Sequence, residues 1–184
     1  GYEIEFVAVA DPHKGRREKF VQDYHVPAEG VFETAEQFFA RPRMADAVLI
    51  CTQDSQHYAY ACQAIDLGYS ILLEKPISPS ARECLDLQRR AEEKGTQIMV
   101  CHVMRYTKFY RKLKELIDSG KFGAPMVIKC THRADGVADD YTTAMAVTDT
   151  AIHEIDVLPW LVNDEWDEVQ CIMPKTNSKV KNAL

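Results

Sequence analysis

The stretch "ILLEKPIS", residues 71–78, joins an unbroken apolar run to a glutamate, a lysine and a proline. Apolar residues that do not alternate with polar ones are typical of a strand covered on both faces, as in a parallel sheet. The change at Glu74, Lys75 and Pro76 has two interpretations that the spacing leaves open. The charged pair is an ordinary strand end, or the lysine is held there for chemistry. The Lys75–Pro76 bond is of the kind that can be cis.

The same pattern recurs through the first half of the chain, where apolar runs alternate with amphipathic segments. The predicted strands span 4–11, 46–52, 69–74 and 96–103, and the predicted helices span 15–25, 34–41, 55–68 and 80–95. Strand–helix–strand repetition predicts right-handed crossovers between parallel strands. The sequence therefore predicts an α/β fold with a doubly wound parallel sheet.

The second half has a different pattern. The predicted helices span 106–120 and 149–162, with Pro159 bending or shortening the second one. The predicted strands span 124–133 and 167–173, and the polar segment 134–147 is expected to be irregular. This change of character places a domain boundary near residues 102–106, between a first domain at 1–103 and a second at 104–184.

The composition excludes several classes of protein. Of the 184 residues, 46% are hydrophobic and 27% are charged, and the net charge of −6 argues against a nucleic acid or an anionic membrane as partner. No apolar stretch approaches the roughly 18 residues that span a bilayer, and the N-terminus lacks the form of a secretory signal. The six cysteines contain no C-x-x-C pair, which favours reduced thiols and a cytoplasmic location. A zinc site could be imagined from Cys51, His57, Cys101 and His102. These residues lack the spacing usual for zinc ligands, so no metal is expected.

Polar residues at the ends of the predicted strands are candidates for binding, because ligands of open parallel sheets lie outside the carboxyl ends of the strands. Asp11 is suited to accept a hydrogen bond from the ribose 2′-OH of NAD, or it simply ends its strand. Lys14, Arg16 and Arg17 would instead suit a 2′-phosphate. The Asp11 carboxylate would repel that phosphate, which favours NAD over NADP.

Two further strand ends carry polar residues. In "CTQDSQH", residues 51–57, Asp54 or Ser55 is expected to cap a helix, and His57 is a packing residue or a ligand. Lys75 would hold a substrate hydroxyl and stabilise the alkoxide that forms as hydride leaves, or it forms a solvated pair with Glu74.

The segment "TDTAIHEID", residues 148–156, contains the strongest catalytic pattern. Asp149 and His153 are four residues apart, so on a helix they share one face. A carboxylate beside an imidazole is suited to general base catalysis. Asp149 is otherwise an acidic residue at a helix start and His153 a half-buried one. Asp156 could share the face of His153.

Together these motifs resemble the glucose–fructose oxidoreductase/inositol dehydrogenase (Gfo/Idh/MocA) family over essentially the whole chain. The motifs in question are Asp11-Pro12, "TQDSQH" at 52–57, "EKP" at 74–76, "HVMRY" at 102–106, "YTT" at 141–143 and "DTAIHEID" at 149–156. The resemblance implies a Rossmann domain followed by an α/β domain with a mostly antiparallel sheet. It also implies oxidation of a polyol or sugar alcohol with NAD, or less favourably NADP.

The resemblance carries roles over to individual residues. Those along the cofactor would be Asp11, Pro12, Thr52, Gln53, His57, Glu74, Lys75 and Pro76. Those at the substrate would be Lys75, Met104, Arg105, Asp149 and His153. The catalytic residues among them would be Lys75, Asp149 and His153, with His153 as acid/base and Asp149 holding a substrate hydroxyl.

The sequence also departs from the family pattern. The second half is most similar to inositol 2-dehydrogenases, but Ala134 stands where they tend to have asparagine. Gln53 and Asp54 stand where many members have proline and asparagine. No G-x-G-x-x-G is present, so we expect a fragment of a chain about twice as long, without the first Rossmann strand and most of the second sheet.

The resemblance further implies a homo-oligomer. A non-catalytic dinucleotide sensor and a hydrolase or lyase using NAD transiently are the alternative functions.

Overall fold

The computed structural model describes residues 4–131, 141–170 and 172. The chain divides into two units, Gly1–Val100 and Cys101–Leu184. That these units are truncated dinucleotide-binding and substrate-binding domains stays a prediction.

The first unit alternates strands and helices. Its strands are β1 (Val9–Ala10), β2 (Val31–Phe32), β3 (Ala47–Ile50), β4 (Ser70–Leu73) and β5 (Ile98–Val100). Its helices are α1 (Lys14–Tyr24), α2 (Ala35–Phe39), α3 (Asp54–Asp66) and α4 (Ala81–Lys94). All of these elements except β2 agree in order and type with the sequence prediction; a strand at Val31–Phe32 was not predicted. The first strand is shorter than predicted, because only two residues of the 4–11 run are paired.

The strands form two parallel sheets. β1 pairs with β2, while β4 lies between β3 and β5, with Ile71 opposite Val48 on one side and Ile98 on the other. Each parallel pair in the three-stranded sheet is joined by a helix, as a parallel connection requires. The predicted α/β class with parallel strands is confirmed.

The core of the first unit lies between β4 and α3. Ile71 and Leu73 of β4 are 3% and 0% exposed, and they pack with the buried Ala61, Ala64 and Ile65 of α3. Because the side chains of Ala61 and Ala64 are small, α3 can lie close to the sheet. Each buried Ile or Leu contributes about 1.5–3 kcal/mol, so this layer fixes where the end of β4 lies.

Gly30 permits a close approach of two backbone segments. A Cβ atom at this position would lie 2.0 Å from the carbonyl oxygen of Val7. No side chain can occupy that space without moving the backbone. Gly30 directly precedes β2, so its missing side chain allows the segment before β1 to run beside it.

The second unit is helical in its described part. It contains a 3-10 turn at Val103–Tyr106, α5 (Lys108–Asp118), α6 (Thr143–Met145), a π-helical stretch at Ala146–Ala151 and α7 (Ile152–Val162). Val157 and Leu161 of α7 are its buried residues. No helix in the described ranges is long and apolar enough to cross a bilayer, and no disulfide joins the five cysteines that the structure describes.

Several predictions for the second half are wrong. Residues 124–131 and 167–170 form no strand, although strands were expected at 124–133 and 167–173. Helix begins at Thr143, inside the segment expected to be irregular. Pro159 does not shorten α7, which ends at the expected residue, Val162. The remainder of the predicted irregular segment, 134–140, lies outside the described residues.

Candidate active site

The first unit brings two of the predicted strand-end segments together. β3 and β4 pair in parallel with Ile50 opposite Leu73. Thr52 and Lys75 each follow these residues by two positions, so both lie at the carboxyl edge of the same sheet. This edge is where ligands of open parallel sheets bind.

His57 joins these two segments. Its side chain is 0% exposed, with Nδ1 2.7 Å from the carbonyl oxygen of Pro76 and Nε2 3.1 Å from that of Thr52. A neutral imidazole donates one of these hydrogen bonds, and an imidazolium donates both. Both ring nitrogens therefore face backbone, and the ring holds the two loops. That His57 lies along the cofactor stays a prediction.

The Glu74–Lys75–Pro76 motif has a defined backbone. The Glu74 N–H donates to the carbonyl of Ile50 at 3.0 Å, and the Lys75 N–H donates to Oε2 of Glu74 at 3.2 Å. The Lys75–Pro76 peptide bond is cis. Lys75 is half-buried. Hydrogen bonds to β3 and to the Glu74 side chain therefore fix the backbone from which the Lys75 side chain extends.

The start of α3 differs from the prediction. Gln53 is the N-cap residue, because the helix begins at Asp54. The Gln53 N–H donates to Oε1 of Gln56 at 3.3 Å. Asp54 and Ser55 are therefore first-turn residues and not caps. Gln53 itself is exposed, so its side chain is accessible at the strand end.

Asp11 ends β1 and is bound by a neighbouring arginine. The Arg16 guanidinium donates to both carboxylate oxygens, at 2.9 and 3.0 Å, and the His13 N–H donates at 2.7 Å. The hydrogen bond from Arg16 lowers the pKa of Asp11, against the effect of burial. Asp11 is therefore an ionised acceptor whose charge Arg16 balances.

The other basic residues near Asp11 are placed differently. Arg17 is buried and donates to the carbonyl of Asp11 at 2.6 Å and to Glu33 at 3.2 Å. These hydrogen bonds hold the Arg17 guanidinium inside the fold, so we do not expect Arg17 to bind a 2′-phosphate. Lys14 and Pro12 are exposed.

Asp149 and His153 lie in one continuous helical segment of the second unit. Asp149 is in the π-helical stretch, and His153 is the second residue of α7. Asp149 is not at a helix start, as the sequence suggested, because helix begins at Thr143. A π-helical stretch within an α-helix is frequent at functional sites. Nδ1 of His153 is buried and has no hydrogen-bond partner among the described residues.

Arg105 and Asp156 form an ion pair beside His153. Nε of Arg105 donates to Oδ2 of Asp156 at 2.8 Å, and Nη2 donates to Oδ1. Asp156 follows His153 by three residues, so the two share a face of α7. Arg105 thereby binds α7, and its expected part in shaping the substrate site stays a prediction. The neighbouring Met104 is half-buried in the same turn.

Sequence reasoning assigned His102 no part in catalysis. Its Nδ1 is buried, lies 3.7 Å from Oδ2 of Asp156 and has no hydrogen-bond partner among the described residues. Burial lowers the pKa of His102, Asp156 opposes that effect, and Arg105 and His153 add to it. The sequence signal was its place near the end of the predicted strand 96–103, in the motif "HVMRY".

Two observations in the first unit fit the binding of a dinucleotide. Oγ1 of Thr52 is buried without a hydrogen-bond partner in the described part of the chain. The Asp11 carboxylate offers about four acceptor positions, and three donors occupy it. A hydroxyl that needs a partner and a carboxylate with spare capacity fit the sugar and phosphate groups of such a ligand.

Comparison with known proteins defines the class. Residues 2–102 match the oxidoreductase family with an NAD-binding Rossmann fold, and residues 110–183 match the GFO/IDH/MocA C-terminal domain. The chain belongs to the GFO/IDH/MocA oxidoreductase family. The resemblance inferred from the motifs is confirmed, and the expected nicotinamide cofactor agrees with this family.

Particular relatives are inositol dehydrogenases. The chain is 37% identical to inositol 2-dehydrogenase of Pseudomonas savastanoi pv. phaseolicola over 94% of its length and 51% of that protein. It is 40% identical to the Klebsiella pneumoniae (strain 342) enzyme over 76% of its length and 42% of that protein. The crystal structure of Lactobacillus casei myo-inositol dehydrogenase with NAD(H) and myo-inositol aligns at TM-score 0.81 and 33% identity, covering 97% of this chain and 52% of that one.

The chain spans about half the length of the curated relatives it matches, 51% for the Pseudomonas enzyme. The activity, substrate and partners of the whole protein are therefore proposals. The roles of the individual site residues stay predictions as well.

Proposed function

We propose that the full-length protein is an NAD-dependent dehydrogenase that oxidises a hydroxyl of an inositol-like polyol. The observation that carries this proposal is the buried Nδ1 of His153, which has no hydrogen-bond partner among the described residues and lies in a helix that also contains Asp149. A general base needs a ring nitrogen that the protein has not already used. Among the described residues, His57 is a contrast, because both of its nitrogens face backbone carbonyls.

Each catalytic residue has a separate task. His153 takes the proton from the substrate hydroxyl. Lys75 holds the same oxygen and stabilises the negative charge that develops on it. Asp149 accepts a hydrogen bond from a second substrate hydroxyl and so fixes the orientation of the ring. The nicotinamide supplies the acceptor for the hydride.

The cofactor contacts follow from the strand ends. Asp11 would accept from a ribose hydroxyl, and Thr52 and Gln53 would donate to the dinucleotide backbone. NAD is favoured over NADP because the Asp11 carboxylate accepts from a hydroxyl and repels a phosphate. Glu74 and Pro76 would lie along the cofactor beside Lys75, and the Glu74 carboxylate accepts a hydrogen bond from the Lys75 N–H.

The proposal is tested with the full-length protein, NAD, and a panel of inositols and aldoses, by following the absorbance of NADH. We expect turnover with at least one polyol. His153→Ala and Lys75→Met should each lower kcat by about 10²–10⁴-fold, the range of acid–base and electrostatic contributions.

A matched control separates catalysis from a general loss of charge. Lys94→Met removes an exposed lysine from the last turn of α4 and should leave kcat unchanged. Unchanged turnover in His153→Ala or Lys75→Met would contradict the assigned roles. Binding of NAD without reduction in the presence of every polyol would favour the non-catalytic sensor. Two further properties remain predictions. Cell fractionation can check the cytoplasmic location, and size-exclusion chromatography can check the homo-oligomer.

A further inference from the structure

A tyrosine hydroxyl is bonded to the helical segment that contains Asp149. The hydroxyl oxygens of Tyr141 and Thr150 lie 2.7 Å apart, and both side chains are half-buried. Tyr141 comes two residues before the helix begins at Thr143, whereas Thr150 lies within the π-helical stretch Ala146–Ala151. This hydrogen bond therefore joins the chain before the helix to a point about two turns along it.

The π-helical stretch is an unusual conformation that other contacts must favour. Hydrogen bonds from residue i to residue i+5 are rare and occur mostly as single turns inside α-helices. The same residues would otherwise continue the α-helix. Thr148 donates its hydroxyl to the carbonyl of Ala144 at 3.2 Å, and a threonine bonded to the preceding turn often bends a helix. Asp149 thus lies between two threonines whose hydroxyls bond outside their own turn.

The conformation of this stretch determines where Asp149 lies relative to His153. In a regular α-helix, residues four apart share one face. A π-helical turn contains an extra residue, so the direction of Asp149 changes if the stretch returns to α-helix. Thr150 directly follows Asp149 in the chain. A bond that fixes Thr150 therefore also fixes the backbone from which the Asp149 side chain extends.

We propose that Tyr141 is a positioning residue for the substrate site. Its hydrogen bond to Thr150 holds the π-helical stretch and so keeps Asp149 directed at the substrate hydroxyl from which it accepts. Tyr141 acts through Thr150 and contacts neither substrate nor cofactor. This gives a role to the first residue of the motif "YTT", residues 141–143. The inference rests on the proposed function, in which Asp149 holds the substrate.

Steady-state kinetics of the full-length protein test the bond from both of its ends. Tyr141→Phe removes only the hydroxyl, and Thr150→Val removes its partner at similar size. Each should lower kcat/KM for the polyol by about 3–10-fold, the usual effect of one hydrogen bond, with KM for NAD unchanged. The double variant should be no worse than either single variant, because all three lose the same bond.

Two control variants accompany these measurements. Thr150→Ser keeps a hydroxyl and should retain most of the wild-type kcat/KM. Tyr24→Phe removes the hydroxyl of an exposed tyrosine in the first unit and should leave kcat/KM unchanged. An active wild type with unchanged kcat/KM in Tyr141→Phe overturns this inference and leaves the proposed function standing.

The Asp149→Asn background separates positioning from a general loosening of the second unit. Once the carboxylate is gone, Tyr141 has nothing to position there. Tyr141→Phe should then change kcat/KM by less than about twofold. An equal loss in the wild-type and Asp149→Asn backgrounds would show a purely structural effect and would overturn the positioning role.

Amide hydrogen exchange of the full-length protein, followed by mass spectrometry, gives a readout that does not depend on turnover. Exchange in residues 146–153 should be about 3–10-fold faster in Tyr141→Phe and Thr150→Val than in wild type or Tyr24→Phe. Equal exchange in all four proteins overturns the inference. Faster exchange in a protein whose wild type oxidises no polyol supports the bond as the contact that holds the stretch, and contradicts the proposed function.

Discussion

Replacing His57 with phenylalanine tests the contact that joins the two strand-end segments. The wild-type ring is fully buried and faces the carbonyl oxygens of Pro76 at 2.7 Å and Thr52 at 3.1 Å. Phenylalanine keeps an aromatic ring of similar shape but has no donor. The substitution therefore removes hydrogen bonding and retains most of the packing.

The expected loss of stability follows from the carbonyl that loses its donor. A buried acceptor left unsatisfied costs about 1–3 kcal/mol. The slightly larger ring in a filled site adds roughly 1 kcal/mol of overpacking. We expect the free energy of unfolding to fall by about 2–4 kcal/mol in His57→Phe. His57→Gln retains a donor and should recover about 1 kcal/mol of that loss.

Urea unfolding of the full-length protein, followed by far-UV circular dichroism, measures these differences. Gln63→Ala changes an exposed residue on the same helix and should stay within about 0.5 kcal/mol of wild type. The same His57→Phe protein should lose kcat by about 10–100-fold, because the backbone beside Lys75 loses its support and the lysine shifts. An unfolding curve that overlays the wild type would refute the argument that the His57 ring holds both loops.

Two further predictions concern stability. Gly30→Ala places a Cβ atom 2.0 Å from the carbonyl oxygen of Val7 and should lower the unfolding free energy by about 1–3 kcal/mol. Its control is Gly15→Ala in α1, where the new Cβ atom would meet only the side chain of His13. The unfolding free energy of this control should stay within about 1 kcal/mol of wild type. Arg105→Met leaves the Asp156 carboxylate unbalanced. The cost should be about 1–3 kcal/mol, below that of a fully buried pair, since the Arg105 side chain is 39% exposed and water screens it. Adding Asp156→Leu should recover most of that loss, and a double variant as unstable as Arg105→Met would contradict the ion-pair explanation. Thermal and urea unfolding check both.

The sequence predicted the four helices of the first unit and four of its five described strands, because their signals are local. Helix α4 has serine before its first residue and glycine after its last, and the Ser80 hydroxyl accepts from the N–H of Glu83 at 3.4 Å. Gly95 ends the helix in the left-handed conformation, φ 64°. Capping and termination depend on a few consecutive residues, so they can be identified without knowing the fold.

Predictions failed where an element needs a partner. Residues 124–131 have the apolar pattern of a strand, yet they pair with no strand among the described residues. An apolar pattern shows that a segment suits a sheet, but only a neighbouring strand supplies its hydrogen bonds. The same reasoning accounts for the first strand, where only Val9 and Ala10 face partners in β2.

The candidate site divides in the same way. By itself, the sequence determined the strand-end position of Lys75, the four-residue spacing of Asp149 and His153, and the family that these motifs indicate. Only the tertiary structure decided that His57 binds two backbone carbonyls and that Arg105 binds Asp156, 51 residues away. Residues that are distant in sequence meet only when the chain folds, and no local pattern of apolar or capping residues specifies such a pair.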